Sequence, residues 1–550
     1  MQESFHARVK GLVSPRPAQQ RPRWLSAVYL LTETSFALFV ALSLITPSWR
    51  YGPFTWWPLW QSELLAGAPV KLGAFNLLPA VVAAGWLAGR LLDKTKRAWT
   101  WGRPSVTLPL VGLTILSLLT LNPAIMRRTF IHGGGLAITW LVYLYIINER
   151  PRLTLPLSLI ILVQAGVAIG QFGLQRDLGL VALGELPLNP LFEGITVLSA
   201  RGQPWLRAYG LTAHPNLLGA LLATLLLLLL PLYGRLRGWR QAAVMAVSGV
   251  GALGLLVSFS RAAWLGMAAG ILTWLVLSGR LTAVFQRQRI RNSHHLRHSE
   301  SPARVAGRSF EESGPEVAPG NQVWRLLARR LWLLLPLLPL LLLLWLNYDL
   351  VLSRFVALDS DVEAESVSQR LDDARTALKV IADYPLFGVG LGNYVYAALH
   401  FDPDADRVHN VPLFVAAELG IIGGLLWLWL ALAPFWPGRE KERQGGRGAR
   451  EQGRLLSEGR SPFHPLTLSP AQLAPWTAMI VMSMFDTMLW WSSNWQTAIL
   501  FALLAAHLTW EVTNPTVDRR PLTLRQAQGR LDDGRPLNGE LTFAGRRHPW

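Results

Sequence analysis

The chain has 550 residues, of which 51% are hydrophobic and only 16% charged, against about 25% charged in an ordinary soluble domain. With a mean hydropathy of +0.29, 25 Trp and 36 Pro, the composition excludes a simple soluble domain and fits membrane helices and their interfaces. The absence of cysteine excludes a disulfide framework, thiol catalysis and cysteine metal sites. The net charge of +18 would suit nucleic acid, but the basic residues lie between apolar runs, as the positive-inside rule describes. No nucleic-acid partner is expected.

A membrane helix needs roughly 20 mostly apolar residues. Such stretches lie at 25–46, 73–92, 105–121, 130–147, 154–174, 215–233, 241–259, 262–279, 327–347, 411–435, 474–491 and 495–510. The fold class is an all-α integral membrane protein with about twelve transmembrane helices. Residues 1–24 form a basic N-terminus, and helices one to eight fill 25–279. The run from Trp24 to Pro47 exceeds the roughly 7–15 residues of a signal-peptide core and reads as an uncleaved first helix.

With the N-terminus placed inside, the inside loops hold Lys94, Lys96, Arg97 and Arg103, then Arg150 and Arg152, then Arg235, Arg237 and Arg240. They also hold the basic stretches 280–326 and 436–473. Helix nine (327–347) leads to a large extracytoplasmic loop, 348–410, which is acidic through residues such as Asp359, Asp361, Glu363, Asp372 and Asp402. Helix ten follows at 411–435, helices eleven and twelve lie in 474–510, and a tail at 511–550 ends the chain. One parity satisfies every loop and puts both termini in the cytoplasm.

The segments 280–326, 436–473 and 511–550 lack periodicity and read as disordered. The tetrapeptide P-L-T-L recurs at 465 and 521. His294, His295 and His298 lack a carboxylate or further ligand at metal-site spacing, so no metal site is assigned. In the outside loop, residues 366–383 have helical spacing of Val367, Leu371, Ala374, Leu378 and Ile381. They read as an amphipathic helix on the membrane surface or over a cavity. The following P-L-F-G-V-G-L-G-N carries Gly388, Gly390 and Gly392. It lacks the preceding strand of a dinucleotide loop and reads as tight turns.

Three places on the outside face can carry chemistry. In R-A-Y-G-L-T-A-H-P-N, 207–216, Pro215 suits a first helical position. Helix six then offers free N–H groups and a positive dipole end to an anion, and Arg207 can add a bidentate fork. The bland alternative is an arginine snorkelling to headgroups. In S-F-S-R-A-A-W, 258–264, Ser258 or Ser260 can cap helix eight. Arg261 in its first turn opposes the dipole, which a bound anion would relieve and a structural ion pair would equally explain. The third place joins Arg370 with His409 and Asn410. A neutral His409 can take a proton from a hydroxyl, or can simply be a cap. Glu418, two turns into helix ten, can face the same cavity. Glu33, Asp486 and His507 are further ionisable groups at membrane depth.

R-A-Y-G-L-T-A-H-P-N, S-F-S-R, the S-x-R ending at Arg370, P-L-F-G-V-G-L-G-N and H-N-x-x-L-x-x-x-x-E-L-G-x-x-G from His409, in that order from about 73 to 435, resemble the O-antigen ligase / O-antigen polymerase superfamily. The resemblance implies an inverting, metal-independent glycosyltransferase without cofactor. Its donor is a glycan on undecaprenyl pyrophosphate, and its active site faces outward from the bacterial inner membrane. It implies pyrophosphate binding by Arg207, Arg261 and Arg370, and activation of the acceptor by His409. His214, Asn216, Ser260, Asn410 and Glu418 are expected to support them. Implied partners are the lipid-linked donor, membrane lipids, and an acceptor that is a lipid A core (ligase), another lipid-linked repeat (polymerase) or a protein Ser/Thr (O-oligosaccharyltransferase). Readings of other classes are a membrane transporter, such as a bicarbonate carrier, which broken helices at the midplane would favour, and a non-catalytic envelope scaffold.

Overall fold

The computed structural model describes residues 22–45, 55–60, 70–93, 99–121, 126–200, 202–234, 236–278, 337–356, 361–403, 405, 407–435, 468–487, 490 and 495–509. The basic N-terminus up to 21, the segments 280–326 and 511–550, most of 436–473, the histidine cluster and the start of helix nine lie outside the described residues.

The described chain is mostly helical. In order come α1 (Arg23–Ile45), the hairpin β1 (Thr55–Trp60) and β2 (Val70–Gly73), α2 (Ala74–Leu92), α3 (Pro104–Leu119), α4 (Met126–Glu149) and α5 (Thr154–Leu174). A second hairpin, β3 (Val197–Ala200) and β4 (Gln203–Leu206), leads to α6 (Pro215–Leu229), α7 (Trp239–Val257) and α8 (Arg261–Leu277). Then follow α9 (Leu337–Leu346), α10 (Tyr348–Val356), α11 (Asp361–Asp383), α12 (Tyr394–Ala398), α13 (Val411–Leu432), α14 (Pro470–Ser483) and α15 (Trp495–Thr509). Both hairpins are two-stranded and antiparallel, a small β content that the all-α expectation did not include.

Among the described residues, five helices are long and apolar enough to cross a membrane: Trp24–Ile45, Thr154–Leu174, Pro215–Tyr233, Trp239–Val257 and Val411–Phe435. Shorter apolar helices lie at Leu77–Leu92, Pro104–Leu119, Arg261–Leu277 and Trp495–Thr509. Leucines on their outer faces stay exposed, Leu155 at 79% and Leu119 at 77%, as lipid-facing residues do. The chain is an integral membrane protein of the all-α class.

Two details of packing position the functional residues. Gly266 and Gly270 on α8 sit one turn apart, and a Cβ at either would lie 2.9 or 2.8 Å from the carbonyl oxygen of Ala478 or Ala474 on α14. Small residues at this spacing let two membrane helices touch backbone to backbone. The stretch expected as a helix over 474–491 is helical over Pro470–Ser483. Ser469 and Gln472 form a capping box and Pro470 occupies the first turn, so the helix begins early. It also ends early, which leaves Asp486 beyond its C-terminus rather than within it.

The second detail is a break in α13. Gly420 has φ 71° and ψ −177° inside an otherwise helical run. The freed groups are met by the P-L-F-G-V-G-L-G segment: Val389 N–H donates to Ala417 O, Gly390 N–H to Glu418 O, and Ile421 N–H to Pro385 O. Gly388, Gly390 and Gly392 all have positive φ, as the tight-turn expectation requires.

The amphipathic helix α11 is present, and Ala374 and Ile381 of its apolar set pack against the core. Asp373, Thr376, Ala377 and Val380 are buried, whereas Leu371 and Leu378 are 55% and 54% exposed. A helix at a membrane surface has two apolar neighbours, protein and lipid. Spacing alone does not tell which neighbour a leucine meets.

Candidate functional site

The site is built where several helices begin. His214 caps α6: its Nδ1 accepts the Asn216 N–H at 3.1 Å, and Pro215 fills the first position, where a missing N–H costs nothing. The ring proton therefore sits on Nε2, which faces Thr196 Oγ1 at 3.4 Å. Arg207 is buried, at 5% exposure. Its Nε donates to Ser258 O at 3.0 Å and its Nη2 to Asn216 Oδ1 at 2.6 Å. Asn216 passes the link on, donating from Nδ2 to Asp486 Oδ2 at 2.7 Å.

The S-F-S-R turn forms the next wall. Phe259 is a non-glycine residue at φ 48°, a conformation that side chains other than glycine adopt at a cost and that clusters at functional sites. It is buried against Phe172 and Trp264. This turn points Ser258 O at Arg207 and makes Ser260 the cap of α8, with Oγ accepting the Ala263 N–H at 3.4 Å. Of the two serines that sequence offered as caps, Ser260 is the one used. Arg261 opens α8. Gly219 lets α6 cross the turn closely, since a Cβ there would sit 2.8 Å from both Ala263 Cβ and Ser260 Cβ.

The end of α14 closes the group. Asn410 caps α13 by accepting the Leu413 N–H at 3.0 Å, and its Nδ2 donates to Met484 O at 3.1 Å. The cap is thus Asn410 and not His409. A small cavity between α6, α8 and the end of α14 is lined by Asn216, Ser260, Ala263, Met482 and Asp486, among others. The N-termini of α6, α8 and α13 accordingly meet at one end of the bundle. Their free N–H groups and dipoles favour negative charge there.

His214 reports the field of the group. Its pKa is pushed down from 6.5 to about 3, first by burial and then by the charges of Arg207, His409 and Arg370. The Nδ1 atom of His409 is buried and has no hydrogen-bond partner among the described residues.

Glu418 is turned another way. Its Oε1 accepts the Gly392 N–H at 2.8 Å and its Oε2 the Trp490 indole N–H at 3.1 Å, so this carboxylate, 1% exposed, ties the glycine segment into the break of α13. Of the other ionisable groups at membrane depth, Glu33 accepts from the Arg152 N–H and His507 meets Ala471 O, both away from these helix starts. Only Asp486 joins the site.

Sequence reasoning missed three glutamines of α5 and its C-terminus, Gln164, Gln171 and Gln175, which hold the segment carrying Arg207. The available signal was three amides in an apolar run, spaced seven and four residues apart and so on one helix face.

Residues 322–428 match the family model described as O-Antigen ligase. That stretch contains Arg370, the glycine segment, His409, Asn410 and Glu418, and is narrower than the resemblance over 73–435. No curated protein matches the chain. Over residues 322–428 the chain is thus similar to the O-antigen ligase family, and this match supports the resemblance to that superfamily.

Proposed function

We propose that the protein transfers a glycan from undecaprenyl pyrophosphate to an acceptor hydroxyl at the outer face of the bacterial inner membrane. In this reading about twelve helices span the bilayer, both termini are cytoplasmic, 348–410 is extracytoplasmic, and the segments 280–326, 436–473 and 511–550 are cytoplasmic. The observation that supports it is the buried chain of contacts from Ser258 through Arg207 and Asn216 to Asp486, beside the helix ends that Arg261 and Asn410 open.

The chemistry follows from these groups. The acceptor oxygen attacks the anomeric carbon and forms the new C–O bond while the bond from that carbon to the pyrophosphate oxygen breaks. Undecaprenyl pyrophosphate leaves with the electron pair, and the hydroxyl proton passes to His409. A single displacement of this kind inverts the anomeric centre. The leaving group gathers negative charge, which fixed guanidinium groups and helix N-termini stabilise in a site of low dielectric. Arg207, Arg261 and Arg370 hold the diphosphate and no metal is required. Asn216 and Asp486 fix Arg207, His214 and Ser260 cap the helices that open on the site, Asn410 sets the start of α13, and Glu418 supports the adjoining segment.

The acceptor is a lipid A core, a second lipid-linked repeat or a protein Ser/Thr, the three choices within the family. The test is to supply purified protein with undecaprenyl-pyrophosphate glycan and each acceptor in turn, and to identify the product by mass. Transfer to one acceptor supports the proposal, and no transfer to any of them refutes it.

The break in α13 favours a second reading, because transporters bind ions at discontinuous helices. Here the freed backbone groups pair with residues 385–390 instead of lining an open site. Bicarbonate uptake by proteoliposomes, without glycan transfer, would select the carrier.

A further inference from the structure

From Leu206, the last residue of β4, to Leu211 the chain leaves the hairpin and runs through the protein interior before α6 begins, yet every N–H has a partner. Arg207 N–H donates to Thr196 O and Ala208 N–H to Val257 O. The other four go to glutamine side chains of one helix and its cap. Leu206 N–H donates to Gln175 Oε1 at 2.7 Å, Tyr209 and Gly210 N–H to Gln171 Oε1 at 3.0 and 2.8 Å, and Leu211 N–H to Gln164 Oε1 at 2.8 Å.

Gln171 is fully used. Besides accepting two bonds, its Nε2 donates to Gly210 O and to Glu185 Oε1, each at 2.8 Å. Glu185 is itself held by the N–H groups of Leu178 and Leu180. Gln164 is anchored through Nε2 to Leu44 O and Ile45 O at the end of α1. Gly210 sits at φ 58°, and a Cβ there would lie 2.6 Å from Gln164 Oε1, so the backbone rests directly on the amides. Buried amides satisfied in this way fix backbone position, because any shift leaves a polar group unpaired at a cost of about 1–3 kcal/mol.

We infer that Gln164, Gln171 and Gln175 form a glutamine ladder whose task is to position Arg207 for the diphosphate of the donor, with Gln171 as its central rung. The inference rests on the proposed role of Arg207 in binding the donor. These are positioning residues, acting on backbone on both sides of the arginine and not on the substrate. Glutamate cannot replace Gln171, because one amide donates and accepts at once. Asparagine is one methylene too short.

The test measures binding of undecaprenyl pyrophosphate, and separately of undecaprenol, to the full-length protein in nanodiscs. Wild type is compared with Gln171→Leu, Arg207→Ala and the double variant. The ladder predicts that Gln171→Leu weakens the pyrophosphate lipid about tenfold or more and leaves undecaprenol unchanged. It also predicts that the double variant binds no worse than Arg207→Ala alone. A merely structural glutamine would weaken both lipids together and add to the loss from Arg207→Ala. Either that pattern, or wild-type binding by Gln171→Leu, overturns the inference. Wild-type binding by Arg207→Ala would instead overturn the role of the arginine. If Gln171→Leu does not fold, Gln175→Leu at the half-buried end of the ladder replaces it, with the same binding pattern expected and the same results overturning the inference.

Discussion

Arg207 and Asn216 are joined by a 2.6 Å hydrogen bond from Nη2 to Oδ1, although one precedes α6 and the other lies in its first turn. The same asparagine donates to Asp486, so a carboxylate from the end of α14 sets the orientation of a guanidinium held by the S-F-S-R turn. The site is thus a chain of contacts between three sequence segments.

Removing the middle of that chain should be felt at the arginine. Asn216→Ala takes away a hydrogen bond to a charged group, worth about 1.5–3 kcal/mol. Glycan transfer should fall roughly 10- to 100-fold, with a moderate fall in the thermal midpoint. Measurement of initial rates at fixed donor checks this. A rate within a factor of about two of wild type would show that Arg207 needs no such support.

The depressed pKa of His214 gives a pH dependence. Above pH 6.5 the imidazole is neutral in both folded and unfolded chains and contributes no slope. Between 6.5 and about 3 the unfolded chain binds a proton that the folded chain does not, so stability falls as pH falls through that window. His214→Asn keeps an acceptor at the cap and removes the titration. The difference in thermal midpoint between wild type and this variant should therefore change between pH 6.5 and 4 and stay constant from 6.5 to 8. A constant difference across the whole range would contradict a neutral capping histidine.

The break in α13 depends on Gly420. A Cβ there would lie 2.0 Å from Leu386 O, a backbone atom, at a φ of 71° that alanine rarely adopts. Gly420→Ala should expel residues 385–390 from the break and lower the thermal midpoint sharply. Gly166→Ala, where a Cβ meets nothing within 4 Å, should not. Equal melting of the two proteins would show that the glycine segment does not depend on the break.

Glu418→Gln tests the other end of that tie. A carboxylate accepts from both Gly392 and Trp490, whereas an amide accepts from one and sets a donor against the other. The expected loss is about 1–3 kcal/mol, read by thermal unfolding together with a change in tryptophan fluorescence. No change in either would mean that the carboxylate is not needed there.

Much of this was legible in the sequence because membrane helices are forced by composition. Apolar runs, with proline at the first turn of α6 and serine at the cap of α8, located α6, α8 and α13 and brought Arg207, Arg261 and His409 into consideration. What stayed hidden depends on neighbours. Leu371 and Leu378 have the right spacing for burial, yet face outward because lipid competes with protein for apolar residues. The break at Gly420 stays hidden because a glycine is common in membrane helices, and only the partner segment 385–390 makes a break favourable. Asp486 gains its meaning only once Asn216, 270 residues away, is seen beside it.

The central claim is that basic groups and one imidazole at the gathered helix ends carry out transfer from a lipid diphosphate. The most direct measurement is the transfer rate of Arg207→Ala, Arg261→Ala and His409→Ala in reconstituted membranes with undecaprenyl-pyrophosphate glycan. The expected result is that all three fold, that the arginine variants lose transfer, and that His409→Ala loses turnover more than donor binding. Wild-type transfer by all three would contradict it.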